Sequence, residues 1–303
     1  MALLTRQSIS VIFPAYNEEA NVAEAIAQAH HCLDYLTPDW EIIVVNDGSR
    51  DRTAAIIDAI AAEDRRVIVV HHPKNEGYGA ALRSGIQNAR KELIFFSDSD
   101  LQFHLNELPL LLIWIEQYDA AIGYREKRND PLYRMINAAG WNMLVRLVLG
   151  LRVRDIDCAF KLFRSSLFEV IKVDAVGAMV NTDILVQVLR LGFKIKEVPV
   201  THFERRAGAP TGARLSVILK AFRELRRLRA KLQSVTPIVA PYDRRQHQVP
   251  VAAERRTSQR RQVDLPINFP DRRRRVLVAR AEPVPGADKL PNIIRSPATL
   301  DGK

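Results

Sequence analysis

Asp98 and Asp100 stand one residue apart directly after the apolar run Leu93-Ile94-Phe95-Phe96, with the amide of Gln102 two residues further on. A short apolar run bounded by polar residues reads as a buried strand. Both acids then fall at its carboxyl edge, where open α/β sheets bind ligands. Two hard carboxylates and an amide oxygen suit Mg²⁺ or Mn²⁺ held against substrate phosphates. Taken alone the pattern is weak, because Asp pairs after strands are more often turn formers. Its weight comes from four other stretches that repeat the arrangement.

The segment 10–19 closes a first apolar run with Pro14-Ala15-Tyr16-Asn17-Glu18-Glu19. A second run, Val44-Val45, ends in Asn46-Asp47-Gly48-Ser49-Arg50-Asp51-Arg52-Thr53: an acid at the strand edge, then a turn and helix starters. Lys74-Asn75-Glu76-Gly77-Tyr78-Gly79 brings two glycines ahead of a helix. There backbone can approach a ligand, and helix N–H groups favour phosphate. Asp155-Ile156-Asp157-Cys158-Ala159-Phe160-Lys161-Leu162-Phe163 sets two acids before an apolar strand. Each stretch alone reads as a turn and a cap. Their order, each at the end of a successive strand, is not what turns alone produce.

The elements that position them alternate. Ile9–Phe13, Glu41–Val45, Val67–Val70 and Leu93–Phe96 read as buried strands, and Glu19–Leu36, Thr53–Glu63 and Tyr78–Arg90 as helices. This rhythm predicts an α/β fold, a mostly parallel central sheet with helices on both faces. Further strands are expected at Ala120–Gly123, Ala159–Phe163 and Lys194–Pro199, and helices at Leu132–Leu149 and Thr182–Leu191. Arg214–Leu232 is amphipathic: Leu215, Ile218, Leu219, Phe222, Leu225, Leu228 and Leu232 share helical spacing, with six Lys and Arg on other faces. Such a helix either caps the domain or lies on an anionic membrane.

Together these motifs resemble the family-2 glycosyltransferases with the nucleotide-diphospho-sugar transferase (GT-A type) fold. The nearest branch is that of the dolichyl-phosphate mannose and glucose synthases and their bacterial polyprenyl-phosphate relatives, and the likeness runs from about Ile9 to Leu228. The resemblance implies that Pro14, Ala15, Tyr16 and Glu18 line a nucleotide pocket, that Asp47 accepts from the base N–H, and that Lys74 and Gly77 belong to the nucleotide-sugar site. It implies that Asp98, Asp100 and Gln102 hold the metal. Arg125 and Arg134 match positions that grip an acceptor phosphate; a solvated basic loop is the plain alternative. Asp183 matches an acidic position near the acceptor, or is simply a helix N-terminal acid. The chain departs from the branch at Ala159, where glycine is frequent, and at Asp157, where an uncharged residue is.

The activity so implied is transfer of a hexose, glucose ahead of mannose, from UDP-glucose or GDP-mannose to a polyprenyl phosphate, with inversion. The rival within enzymes is transfer to a saccharide hydroxyl, which needs a carboxylate base, with Asp183 the candidate. A dehydrogenase is disfavoured because no GxGxxG follows the first strand.

The expected organisation is a catalytic domain at 1–232, with a nucleotide-sugar half at 1–104 and an acceptor half at 105–232, and a mostly disordered tail at 233–303. Of the net charge of +10, seven units lie beyond Gln233, where 14 Lys and Arg face 7 Asp and Glu and nine of the 16 prolines occur. Such a tail binds polyanions promiscuously and lacks the interleaved aromatics of a specific nucleic-acid platform. Two cysteines make no disulfide framework, so a reducing compartment is expected. No run approaches the ~18–20 apolar residues of a spanning helix. A place at the cytoplasmic face of a membrane, peripheral rather than spanning, is the expectation.

Overall fold

The computed structural model describes residues 4–126, 140, 143–177, 179–204 and 215–234. Residues 235–303 of the expected tail, Arg134 and the first part of the expected helix Leu132–Leu149, save residue 140, lie outside the described residues. The chain divides into two units, Met1–Asp243 and Arg244–Lys303, and the described residues all belong to the first.

Seven strands form one sheet: β1 (Ile9–Ala15), β2 (Trp40–Asn46), β3 (Val67–His71), β4 (Leu93–Phe96), β5 (Ala120–Arg125), β6 (Lys161–Arg164) and β7 (Ile195–Val200), in the order β3-β2-β1-β4-β6-β5-β7. The helices are α1 (Val22–Leu36), α2 (Thr53–Glu63), α3 (Tyr78–Asn88), the short α4 (Leu108–Leu112) and α5 (Leu167–Val170), α6 (Val180–Arg190) and α7 (Leu215–Lys231). Residues 143–149 are helical too. Every residue of β1, β2 and β4 is buried, as expected of strands covered on both faces.

Alternation along the strands divides the interior into two cores. Val11, Phe13, Ile42, Val44 and Phe95 pack with α1, α2 and α4 on one side. Ile12, Ile43, Val45, Ile94 and Phe96 pack with α3, α6 and Leu225, Leu228 and Leu232 of the C-terminal helical segment on the other. The amphipathic helix is therefore part of the domain's core along one stripe.

Strand β6 runs against its neighbours β4 and β5, with Phe96 opposite Lys161 and Ile122 opposite Lys161. All other pairs are parallel. The start of β6 thus comes to the same edge as the ends of β1, β2, β4, β5 and β7. Ala15, Asn46, Ser97, Arg125 and Lys161 share that edge, although Ala15 and Lys161 are far apart in sequence. One continuous sheet spans both expected halves of the domain.

Candidate active site

The first two motifs hold each other. Asn17 N–H donates to Ser49 Oγ (3.0 Å) and Arg50 N–H to Asn17 Oδ1 (2.8 Å). Glu18 N–H donates to Thr53 Oγ1 (2.9 Å), Glu19 N–H to Asp51 Oδ2 (3.2 Å), and Arg52 N–H to Glu19 Oε2 (2.9 Å). Five loop amides are satisfied by side chains of the partner loop, so these polar residues shape the edge. Pro14 and Ala15 are buried, while Tyr16 is exposed beside them. The Pro14 carbonyl accepts from Ser99 Oγ (3.0 Å), which ties the end of β1 to the Asp98–Asp100 turn.

Asp47, 3% exposed, is the anchor of the next loop. Its Oδ1 accepts from Glu76 N–H (2.8 Å) and meets His72 Nδ1 (2.7 Å), and its Oδ2 accepts from Gly77 N–H (2.8 Å). A carboxylate has about four lone-pair sites, so the protein itself occupies most of Asp47. The glycines also serve the chain. A Cβ on Gly77 would lie 2.7 Å from the Val176 carbonyl oxygen, and one on Gly79 would lie 2.5 Å from that of Ala175. Gly79 N–H donates to Val176 O (3.1 Å). What these glycines admit is the backbone of residues 175–177, and the N–H groups of Gly77 and Gly79 are already used. Lys74 is exposed in the same loop.

Asp98 is half-buried and Asp100 is 2% exposed, both at the end of β4 as expected. Gln102 N–H donates to Asp100 Oδ1 (3.1 Å), while Gln102 Nε2 donates to Phe203 O (3.1 Å) and so fixes the amide. The Tyr78 hydroxyl is sealed beside Asp98 without closing a well-aligned hydrogen bond. Burial, then the charge of Asp98, pushes its pKa well above the usual phenol value. Among the described residues no three His, Cys, Asp or Glu side chains cluster as a closed metal site. Two carboxylates plus an amide oxygen nonetheless fit Mg²⁺ or Mn²⁺ of the kind that takes few protein ligands and completes its shell with phosphate and water.

On the far side of β4, Arg125 and Asp155 form a forked pair, Nε to Oδ2 at 2.7 Å and Nη2 to Oδ1 at 2.9 Å. Asp155 is buried and the Arg125 side chain only 15% exposed. Burial opposes the guanidinium charge, but Asp155 outweighs it and raises the pKa further. Sequence reasoning placed Arg125 but not its partner, although Asp155 stood in a motif already noted. Lys161 was likewise missed: it is 0% exposed, an ammonium inside a segment that reads as an apolar strand.

Asp183 is built into the fold. It is 1% exposed on α6, and its carboxylate is filled from four directions. Asp174 N–H (2.9 Å) and Ala175 N–H (3.1 Å) donate to Oδ2; Gln187 Nε2 (2.7 Å) and Lys231 Nζ (3.3 Å) donate to Oδ1. These four donors take up the roughly four lone-pair sites of a carboxylate. Its work is to hold residues 174–175 against α6, and through them the 175–177 backbone against Gly77 and Gly79.

Residues 10–172 match the family model described as glycosyl transferase family 2. The chain is 33% identical over 202 residues to glycosyltransferase AglD of Haloferax volcanii, covering 63% of this chain and 32% of that protein. It is 32% identical over 204 residues to an undecaprenyl-phosphate 4-deoxy-4-formamido-L-arabinose transferase of Pseudomonas paraeruginosa, covering 66% and 59%. The chain thus spans about a third and about three fifths of these relatives. A structure of glucosyl-3-phosphoglycerate synthase from Mycobacterium tuberculosis with Mn²⁺, UDP-glucose and phosphoglyceric acid superposes with a TM-score of 0.59 at 21% identity, over 74% of this chain and 80% of that one. At that identity the likeness bears on the fold, which is of the GT-A type.

Proposed function

Because the chain belongs to glycosyl transferase family 2, we propose that it transfers a hexose, glucose ahead of mannose, from UDP-glucose or GDP-mannose to a polyprenyl phosphate, with inversion at the anomeric carbon. The observation that carries this reading is the shared sheet edge: a carboxylate pair at the end of β4 and, two strands along, Arg125 at the end of β5 forked with Asp155. The relatives' names, undecaprenyl-phosphate sugar transferase among them, support the lipid-phosphate acceptor.

Pro14, Ala15, Tyr16, Glu18, Asp47, Lys74 and Gly77 form the nucleotide side of the site, Gly77 through the Asp47 loop rather than by direct approach. Asp98, Asp100 and the Gln102 amide oxygen hold Mg²⁺ or Mn²⁺, which when bound neutralises charge on the departing nucleoside diphosphate. A lipid phosphate has a second pKa near ~6 and is largely ionised at neutral pH, so no general base is needed. That agrees with the saturation of Asp183. Arg125 spends two of its five N–H groups on Asp155. The remaining edge, pre-oriented by the fork, orients the acceptor phosphate, with Arg134 as its expected companion.

A peripheral place on the cytoplasmic face of a membrane fits the surface. Met143 and Leu147, one helical turn apart, are 60% and 75% exposed. On α7 the exposed residues include Arg223, Arg226, Arg227 and Arg229, each worth on the order of 1 kcal/mol near anionic lipid. No helix among the described residues is long and apolar enough to cross a bilayer.

The test is incubation of the purified protein with a panel of labelled sugar nucleotides, with polyprenyl phosphate or soluble saccharides as acceptor, with and without EDTA. Labelled lipid is expected, lost in EDTA and restored by Mg²⁺ or Mn²⁺, and absent for Asp98→Ala and Asp100→Ala proteins that remain folded. Full transfer in EDTA overturns the metal assignment. Transfer to a saccharide but never to lipid phosphate replaces this acceptor by a hydroxyl.

A further inference from the structure

Lys161 is among the largest fully buried side chains and sits at the first position of β6, on the site's own edge. A buried ammonium costs several kcal/mol in desolvation unless it is compensated, so its presence beside the buried Leu162 and Phe163 calls for a use. Its Nζ donates to the carbonyl of Ile156 (3.1 Å) and to that of Cys158. The Phe96 ring lies 6.0 Å away. These bonds close the turn that begins at Asp155. Asp155, 4% exposed, forms the fork with Arg125 and also accepts from Arg125 N–H (3.3 Å). The turn is further packed where Gly123 N–H donates to Phe160 O (2.7 Å), with Cys158 Sγ 3.2 Å from where a Gly123 Cβ would be.

The buried layer here sets Arg125 and Lys161 close to Asp155, while Asp157 is exposed. Burial pulls the Lys161 ammonium below its ordinary pKa, and the charges of Asp155 and Asp157 oppose that.

We propose that Lys161 is a positioning residue for the acceptor: by clamping the carbonyls of Ile156 and Cys158 it fixes Asp155, and through Asp155 it sets the guanidinium of Arg125 toward the acceptor's anionic group. The proposal rests on the acceptor reading given above for Arg125. An apolar residue at 161 would pack acceptably with Phe96 and Phe163 but would leave both carbonyls unpaired and the 155–158 turn loose. Arginine keeps both the charge and the donors.

The test compares Lys161→Met, Lys161→Gln and Lys161→Arg in the full chain. Hydrogen exchange of the Arg125 Nε–H is read in ¹⁵N-arginine spectra, with that resonance identified by its absence in Arg125→Lys. Kinetics give the KM for polyprenyl phosphate and for the sugar nucleotide separately. In Lys161→Met the Arg125 Nε–H is expected to exchange faster and the acceptor KM to rise by roughly tenfold to a hundredfold, as for a misplaced catalytic group, with the donor KM unchanged. Lys161→Arg is expected to restore both. If Lys161→Met does not fold, Lys161→Gln, whose amide nitrogen ends one bond short of the ammonium and so falls short of the two carbonyls, is held to the same criteria. A folded variant with a protected Arg125 Nε–H and an unchanged acceptor KM overturns the proposal. The exchange measurement needs no acceptor, so it judges Lys161 even if lipid phosphate proves the wrong substrate.

Discussion

Replacing Asp183 separates a structural carboxylate from a catalytic one. In Asp183→Ala, the N–H groups of Asp174 and Ala175 and the Gln187 amide lose their acceptor inside the protein. Orphaned buried donors cost about 1–3 kcal/mol each, and a segment can relax to recover part of that. Lys231 keeps Asp174 at 2.9 Å and is 24% exposed, so it adds little. The expected loss is roughly 3–5 kcal/mol, the range for removing one partner of a buried charge cluster. Asp183→Asn retains an acceptor for the two backbone amides but turns an NH₂ toward Gln187 and Lys231, for about 1–3 kcal/mol. With a urea slope near ~2 kcal/mol/M, the midpoint of Asp183→Asn falls by about 1 M. Below the transition the turnover of Asp183→Asn is expected to stay near wild type. The reasoning is refuted if Asp183→Asn unfolds at the wild-type midpoint yet loses roughly 10²–10⁴ in turnover, the signature of a missing general base.

Gly79→Ala places a methyl 2.5 Å from Ala175 O, 2.8 Å from Val176 C and 2.9 Å from Gly177 O, all of them backbone. It is expected to cost about 1–3 kcal/mol and to weaken sugar-nucleotide binding, checked by thermal melts and titration calorimetry; wild-type stability would mean the 175–177 segment does not press on α3. Burial pushes the Cys32 thiol up to about 12 and the Cys158 thiol up to about 11. Both stay protonated at pH 8, so Ellman's reagent is expected to label neither thiol in the native protein and both in urea, and rapid native labelling would contradict their burial.

The first four strands and three helices were legible because strands buried on both faces are continuous apolar runs. Leu93–Phe96 and Thr53–Glu63 fall where the sequence puts them, and the others move by a few residues at their ends. The direction of β6 was not legible. Four residues, Lys161-Leu162-Phe163-Arg164, carry no mark of whether their neighbours run with or against them. The Asp98–Asp100 edge was readable because its acids follow a strand directly. The fate of Asp183 was not, since an acid in a helix's first turn looks the same whether it faces water or two amides. Gly77 and Gly79 announced a close approach without saying by what, and only the fold shows that a segment nearly a hundred residues later makes it.

The antiparallel insertion of β6 has a consequence for synthesis. β4 has one neighbour, β1, as soon as it emerges, but its other edge is completed only by Lys161–Arg164, roughly 65 residues later. At about 5–20 residues per second, Phe95 and Phe96 spend several seconds on the ribosome beside an open edge, the state most prone to wrong pairing. Nor can β5 stand in, because in the finished sheet it reaches β4 only across β6. The first four strands are thus made early and sealed late. A nascent chain halted before Lys161 should be the form that a cell's holdases grip.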